Sequence, residues 1–276
     1  MPSRSDGPKV LLFDIGGVCV VSPFQAILDY EVESNIPPGW VNHAISRSAP
    51  NGAWQKLERG EIKLDAKFFE AFYQDLHNKG LWQSYLTKSH GGEADPSGTE
   101  GASTSVPPLP EIDAEWLFWE MMRISRTPDP WMYPALKKLK ASCKFILGAL
   151  SNTIIFPPDH PYSHGAHDDV RSIFDVFVSS AHVGLRKPDP RIYHLAVAEL
   201  DKHARGRADD LRIQQGGISA GDVLFLDDIG ENLKAAKTAG MRTLKVHLGK
   251  GDIAVRELEN ITGMKLSDPT SSKPSL

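Results

Sequence analysis

A short apolar run that ends in an aspartate and two glycines does most to constrain the fold of this chain. Residues 9–13 read KVLLF, and Asp14, Ile15, Gly16 and Gly17 follow directly. Such a run is typical of a strand buried in a parallel sheet, and the glycines allow a sharp turn close to a ligand. Ligands of open α/β sheets bind at the carboxyl ends of the strands. The stretch therefore predicts a buried strand with Asp14 at the start of a site, although a plain Asp-x-Gly turn would look the same.

The periodicity of apolar residues changes along the rest of the chain. Between residues 23 and 123, apolar and aromatic side chains recur at helical spacing, without the alternation of a half-buried strand. Farther on, helical stretches separate four apolar runs, at residues 143–150, 174–179, 223–226 and 243–246. Alternating strands and helices predict a parallel sheet with crossover helices. We therefore predict an α/β fold, a Rossmann-like parallel sheet core with an inserted helical cap.

The same pattern predicts the division into domains. The α/β core comprises residues 8–22 and 124–264, and the helical cap comprises residues 23–123. Within the cap, residues 89–110 are rich in Gly, Ser, Thr and Pro, which is typical of a flexible insertion. The polar residues 265–276 predict a disordered tail.

Composition excludes several classes of protein. The net charge of −4 gives no reason to expect nucleic acid or an anionic membrane as a partner. Two cysteines are too few for a disulfide framework, and their spacing is not that of a zinc site. Residues 1–8 are polar and no apolar run reaches the ~20 residues that a membrane span needs, so we expect neither a secretory signal nor a transmembrane helix. We expect a cytoplasmic protein, monomeric or homodimeric.

Polar side chains follow the predicted strands at the points where the strands end. They are Asp14 after the first strand, Ser151-Asn152-Thr153 after the second, Lys187 in the loop after the third, and Asp227-Asp228 after the fourth. Such groups converge on one crevice of a parallel sheet. Each has a simpler interpretation too, since Asp commonly caps helices, Ser-Asn-Thr forms turns and a loop lysine is commonly solvated.

The chemistry of these groups suggests a phosphate site with a metal ion. Neighbouring carboxylates repel one another unless a cation lies between them, and Mg²⁺ prefers such oxygen ligands. The Ser151-Asn152 segment suits phosphate oxygens, and Lys187 adds a positive charge. A carboxylate such as Asp14 can attack phosphorus and form an aspartyl-phosphate.

These stretches together resemble the haloacid dehalogenase superfamily, whose four motifs occur in this order. The sequence is most similar to the branch that contains the N-terminal phosphatase domain of soluble epoxide hydrolases. The resemblance covers residues 9–248 and is carried by LSNT at 150–153, GLRKP at 184–188, FLDDIGENLK at 225–234 and the cap segment that ends in ERGEI at 58–62.

The resemblance implies a role for each matching residue. Asp14 would be the nucleophile and a Mg²⁺ ligand, and the backbone carbonyl of Gly16 would be a second ligand. Ser151 and Asn152 would bind phosphate together with Lys187, and the partner would be a small phosphorylated metabolite. The remaining metal ligands would be the acidic pair, Asp227 and Asp228, with Asp228 the preferred direct ligand.

Position 16 departs from the family pattern. Phosphatases of this family usually carry a second aspartate two residues after the nucleophile, as general acid–base, and this chain has Gly16 there. General acid–base catalysis contributes ~10²–10⁴-fold to rate, so we expect a slower or more selective phosphatase, or a proton donor from the cap. Two alternatives stay open: a metal-independent dehalogenase in which Asp14 attacks carbon, and a non-catalytic phosphate-binding pseudoenzyme.

Two further groups of residues have less specific interpretations. His160, His164 and His167 lie close together in sequence, but no cysteine or carboxylate spacing supports a metal cage, so a polar surface loop is favoured. Glu58 and its cap neighbours Trp54 and Arg59 either contact substrate or serve in packing. They are therefore left out of the predicted site.

Overall fold

The structure is a computed structural model that describes residues 7–90, 107–163, 170–206 and 217–267. Five strands form one sheet in the order β3-β2-β1-β4-β5, and every neighbouring pair is parallel. The strands are β1 (Val10–Phe13), β2 (Ile146–Ser151), β3 (Val176–Ser179), β4 (Val223–Asp227) and β5 (Arg242–Lys245). The predicted Rossmann-like parallel sheet is therefore confirmed.

The register of the sheet brings the predicted site residues to one edge. Phe13 at the end of β1 pairs with Ala149 on one side and with Leu226 on the other. The backbone N–H of Asp14 then donates to the carbonyl of Leu226, at 2.8 Å. The carboxyl ends of the three central strands consequently meet around Asp14.

In the described residues between β1 and β2 there are seven helices. They are α1 (Pro23–Glu33), α2 (Trp40–Arg47), α3 (Ala53–Glu58), α4 (Ala66–Leu76), α5 (Lys79–His90), α6 (Ala114–Ile124) and α7 (Met132–Ser142). Side-chain caps fix several starts: Ser22 accepts from the N–H of Phe24, and Asp65 accepts from the N–H groups of Lys67 and Phe68. The first six, α1–α6, are called the cap helices below.

In the described part of the chain after β3, the helices are α8 (Ser180–Val183), α9 (Pro190–Gly206), α10 (Gly230–Thr238) and α11 (Gly251–Thr262). Two short 3₁₀ helices cover Val170–Ile173 and Ala220–Asp222. Side chains of β1 alternate between two apolar clusters, Leu11 and Phe13 packing with α7 and α11, and Val10 and Leu12 with α9 and α10. The sheet is therefore the middle of three layers.

The cap helices have an apolar cluster of their own. It is built around aromatic side chains such as Trp40, Phe68, Phe72 and Phe118, all 1% exposed or less. Phe68 and Phe118 meet edge to face, with ring centroids 5.2 Å apart. Aromatic residues that recur at helical spacing in the sequence therefore pack against one another inside the cap. The domain boundaries at residues 22/23 and 123/124 stay predictions.

The structure differs from the sequence analysis near the carboxyl end of the described chain. The tail was predicted to be disordered from residue 265, but Leu266 is 1% exposed and packs in the core. Its carbonyl accepts from Nζ of Lys138 at 2.7 Å, and its N–H donates to Glu259. The prediction was wrong for residues 265–267, because one apolar side chain among polar neighbours is enough to anchor the segment to the core. Residues 268–276 lie outside the described residues.

The predicted flexible insertion, residues 89–110, is described only at its two ends, the first of which is helical because α5 extends to His90. Residues 91–106 lie outside the described residues. Residues 107–110 contact the cap helices, since Nε1 of Trp82 donates to the carbonyl of Pro107 at 2.8 Å and Leu109 packs against the cap cluster. In the described ranges, no helix is both long and apolar enough to cross a membrane.

Candidate active site

The strand ends bring three carboxylates together. One oxygen of each of Asp14, Asp227 and Asp228 lies within 4.8 Å of the others. Asp14 and Asp227 are buried, and Asp228 is partly exposed. Within the described chain, this is the one group of acidic, histidine or cysteine side chains with metal-binding spacing.

Lys187 lies between two of these carboxylates. Its Nζ is 2.8 Å from Oδ2 of Asp14 and 2.7 Å from Oδ2 of Asp227, and its side chain is 1% exposed. Burial lowers the pKa of this amine, but the two carboxylates outweigh it and raise the pKa above its usual range. Lys187 is therefore held as an ammonium ion beside Asp14.

Asn152 fixes the backbone that carries Lys187. Its Oδ1 accepts from the N–H of Lys187 at 2.8 Å, and its Nδ2 donates to the carbonyl of the same residue at 3.2 Å. Ser151 precedes it at the end of β2 and is buried, with its hydroxyl 3.4 Å from the carbonyl of Asn152. The resemblance implies that Asn152 binds phosphate, which stays a prediction. In the structure, its side chain also holds the backbone of Lys187 in place.

The two members of the acidic pair have different surroundings. Asp227 is fully buried, and its oxygens accept from the N–H of Ile229 at 2.8 Å and from Nδ2 of Asn232 at 3.1 Å. Together with Lys187, these bonds satisfy most of its acceptor capacity. Asp228 is more open, which leaves it better suited to bind a cation directly.

Burial and mutual repulsion raise the pKa of two of the carboxyl groups. Burial raises the pKa of Asp14 from 3.8 to about 7, with Asp227 and Asp228 adding to the rise and Lys187 opposing it. Burial and the charge of Asp227 likewise raise the pKa of Asp228 from 3.8 to about 6. Lys187 alone thus does not offset the negative charge of the cluster.

A divalent cation fits this donor set. The oxygens are hard ligands at close spacing, their positions are fixed by strand ends, and they carry uncompensated negative charge. The carboxylates of Asp14, Asp227 and Asp228 are the groups that could hold Mg²⁺. A contribution from the backbone carbonyl of Gly16 stays a prediction.

The glycines after Asp14 permit this close packing. Gly17 has a φ of +74°, and a Cβ there would lie 2.6 Å from Oδ2 of Asp228. Any larger residue would therefore displace the carboxylate. Gly16 is less constrained, since a Cβ would meet Pro23 Cδ at 3.3 Å.

A cavity of about 250 Å³ adjoins the cluster. Gly16, Ser151 and Asn152 line it from the core, and Trp54 and Glu58 line it from the cap helices. Its wall also includes two arginines, Arg126 and Arg171, which the sequence analysis did not single out. Their positions follow from tertiary packing, and no local sequence pattern identifies them.

The histidines of the 157–169 segment play no part in this cluster where they are described. His160 stacks on Trp119, with ring centroids 4.7 Å apart, and lies 5.4 Å from the ring of Phe156. It is thus part of an aromatic stack on the cap helices. His164 and His167 lie outside the described residues.

Comparison with known families assigns this chain to one of them. The model of the haloacid dehalogenase-like hydrolases matches residues 8–240. The chain belongs to this family. The family assignment spans β1 to α10, so all the strand-end residues above fall within the matched region.

Several characterised proteins are similar in sequence to this hydrolase. Mouse acyl-CoA dehydrogenase family member 10 is 27% identical over 94% of this chain, and pig bifunctional epoxide hydrolase 2 is 27% identical over 97% of it. The chain spans only 19% and 42% of the length of these two relatives. Sesquiterpene phosphatase astK of Aspergillus oryzae is 25% identical, covering 92% of this chain and 97% of that protein.

Solved structures support the fold of this hydrolase. A predicted HAD-like family hydrolase from Porphyromonas gingivalis superposes with a TM-score of 0.52 at 16% identity, covering 94% of this chain and all of that one. A dehalogenase superposes with a TM-score of 0.51 at 15% identity, covering 96% of this chain and 100% of that one. Both matches concern the fold alone.

Proposed function

We propose that this hydrolase is a Mg²⁺-dependent phosphatase that cleaves a small phosphate monoester through an aspartyl-phosphate on Asp14. The observation that carries the proposal is Lys187, buried between Asp14 and Asp227 beside a third carboxylate, Asp228. An aspartate with a fixed ammonium ion and a cation site next to it is suited to attack on a phosphoryl group.

Each residue has a definite part in that reaction. A carboxylate oxygen of Asp14 attacks phosphorus, the bond to the ester oxygen breaks, and the electron pair leaves with the alcohol. Lys187 offsets negative charge on the phosphoryl oxygens, and the hydroxyl of Ser151 with backbone N–H groups of the 151–153 segment orients them. Bound Mg²⁺ would supply further electrostatic stabilisation of the phosphoryl oxygens.

Gly16 limits the range of substrates. No carboxyl group stands at that position to protonate the departing oxygen, so an alcohol that leaves readily as an anion is favoured. We therefore propose selectivity for esters of acidic alcohols, such as aryl phosphates or sugar 1-phosphates, over simple alkyl phosphates.

The comparisons support phosphatase chemistry through one relative of similar length. The similarity to astK of Aspergillus oryzae, which is named a sesquiterpene phosphatase, covers 97% of the length of that protein. The similarity to a dehalogenase concerns the fold, and three clustered carboxylates favour a reaction that uses a cation.

The test is phosphate release from an activated aryl phosphate, with Mg²⁺ and with a chelator. We expect turnover with Mg²⁺, and its loss on chelation and in Asp14→Asn. Asp252→Asn is the matched control, because Asp252 lies outside the cluster in α11, where it pairs with Arg256 at 2.7 Å. Halide release from a haloacid without Mg²⁺, combined with no phosphate release, would instead establish the dehalogenase alternative; phosphate-ester binding without turnover would establish the pseudoenzyme.

A further inference from the structure

One carboxylate of the cap helices faces the core across the cavity. Glu58, at the end of α3, lines the same cavity as Gly16, Ser151 and Asn152. Among the described residues of that wall, Glu58 is the only one with a carboxyl group. It therefore supplies the one acidic side chain that borders the space above position 16, where the family's usual second aspartate is missing.

Glu58 is held firmly in this position. It is 7% exposed, its Oε2 accepts from Nε of Arg186 at 2.7 Å, and its carbonyl accepts from the hydroxyl of Ser180 at 2.6 Å. Two residues later, Gly60 packs so closely on the carbonyl of Ala181 that a Cβ would lie 2.2 Å from that oxygen. The cap helices are thus fixed to the core at Glu58.

The partner of Glu58 connects it to the phosphate site. Arg186 directly precedes Lys187, the residue that contacts Asp14. Asn152 holds the same backbone, through its two bonds to Lys187. A cap carboxylate, the buried lysine and the predicted phosphate loop therefore form one connected unit around the cavity.

We propose that Glu58 is the general base that activates water for hydrolysis of the aspartyl-phosphate. In this step the water oxygen bonds to phosphorus, and the bond from phosphorus to the Asp14 oxygen breaks. Its electron pair returns to the Asp14 carboxylate, the water proton passes to the Glu58 carboxylate, and inorganic phosphate leaves. The proposal rests on the phosphatase function above, and it assigns to the cap the second of the two tasks that the absent aspartate would perform.

The pairing with Arg186 favours this step over the first one. The partner of a guanidinium in an ion pair is a carboxylate, which accepts hydrogen bonds and has no proton of its own to donate. Glu58 is therefore suited to the second step, whereas the ester oxygen departs in the first step without a proton donor from position 16. This division agrees with the proposed preference for readily leaving alcohols.

The experiment follows phenol release from an activated aryl phosphate in the first turnover and at steady state, with Mg²⁺. For Glu58→Gln we expect a burst of about one phenol per enzyme, then a steady state ~10²–10⁴-fold slower than wild type. Intact mass should show the phosphorylated enzyme accumulating. In Glu58→Ala, added formate should restore part of the steady-state rate by accepting the proton.

Two further variants separate catalysis from structure. Arg186→Gln removes the ion pair but keeps the carboxylate, and should lower the rate less, without accumulating phosphoenzyme. Glu61→Gln alters an exposed carboxylate of the same loop, paired with Arg59 at 2.6 Å, and should behave as wild type. The assignment of Glu58 would be overturned if Glu58→Gln turned over at the wild-type rate. It would also be overturned if Glu58→Gln and Arg186→Gln lost equal activity and neither accumulated phosphoenzyme. Either result would leave the phosphatase proposal intact. An inactive wild type would overturn both.

Discussion

Nζ of Lys187 lies 2.8 Å from Oδ2 of Asp14, and the side chains of both residues are almost completely buried. The two residues come from distant parts of the sequence, the end of β1 and the loop after α8. Burial makes the contact consequential, because a charged group removed from water needs a partner of opposite sign. Lys187 therefore matters to the stability of the fold as well as to the proposed chemistry.

Replacement of this lysine should destabilise the protein. Lys187→Met leaves Asp14 and Asp227 buried without their common partner, which should cost ~3–5 kcal/mol in the free energy of unfolding near neutral pH. Urea unfolding measures the change, with Lys234→Met, an exposed lysine of α10, as the control. A loss no larger than that of the control would contradict the account of the cluster.

Without Mg²⁺, stability should fall as pH rises from about 4 to about 8. Burial raises the pKa of Asp14 from 3.8 to about 7 and that of Asp228 to about 6. Each carboxyl therefore binds its proton more tightly in the folded state. That stabilisation is complete below the unfolded pKa and is lost as pH rises through the folded pKa.

The measurement is urea unfolding at several pH values in a chelator. Asp14→Asn should flatten the decline, since it removes one of the two titrating groups, and added Mg²⁺ should stabilise wild type most at the alkaline end. The explanation fails if the decline is equally steep in Asp14→Asn.

Restoring an acid at position 16 should broaden the substrate range. In Gly16→Asp, the new Cβ would lie 3.3 Å from Cδ of Pro23, so the substitution needs only a small adjustment of the proline ring. A donor there should raise turnover of an alkyl phosphate by about 10²-fold, and that of an activated aryl phosphate much less. The measurement is the turnover rate on each of the two esters, and Gly16→Asn is the control because it has the same shape without the acid. If the ratio of the alkyl-ester rate to the aryl-ester rate is the same in Gly16→Asp as in wild type, the role assigned to Gly16 is wrong.

A buried carboxylate fixes the start of α2. Oε2 of Glu31 accepts from the N–H of Gly39 at 2.6 Å, and Oε1 accepts from the N–H of Val41 at 2.7 Å. Glu31→Gln replaces one acceptor by a donor and should cost ~1–3 kcal/mol of stability. Glu33→Gln, exposed at the end of α1, should cost little. Equal unfolding midpoints for the two variants would show that these bonds contribute nothing.

This same helix shows where sequence reasoning stopped short. The sequence IPPG at residues 36–39 is typical of a helix break, and α1 does end before it, but α2 begins directly after Gly39. The N–H groups at that start are satisfied by Glu31, eight residues or more upstream. A local pattern does not reveal such a partner, so it does not predict where α2 begins.

The strand ends were predictable for the opposite reason. An apolar run that stops at a polar residue is a local feature, and Asp14, Ser151 and Asp227 all stand at such points. The parallel sheet then brings them to one edge. Glu58 differs, because its place at the cavity depends on how α3 packs on α8 through Ser180.

The most direct test of the central claim is to find the phosphoryl group on Asp14. Wild-type protein is mixed with an activated aryl phosphate and Mg²⁺, stopped in acid, reduced with borohydride and digested for peptide mass spectrometry. Borohydride converts an aspartyl-phosphate to homoserine, so the account predicts homoserine at position 14, and none when Mg²⁺ is chelated. Steady phosphate release without modification of Asp14, or with the phosphoryl group on another residue, would contradict it.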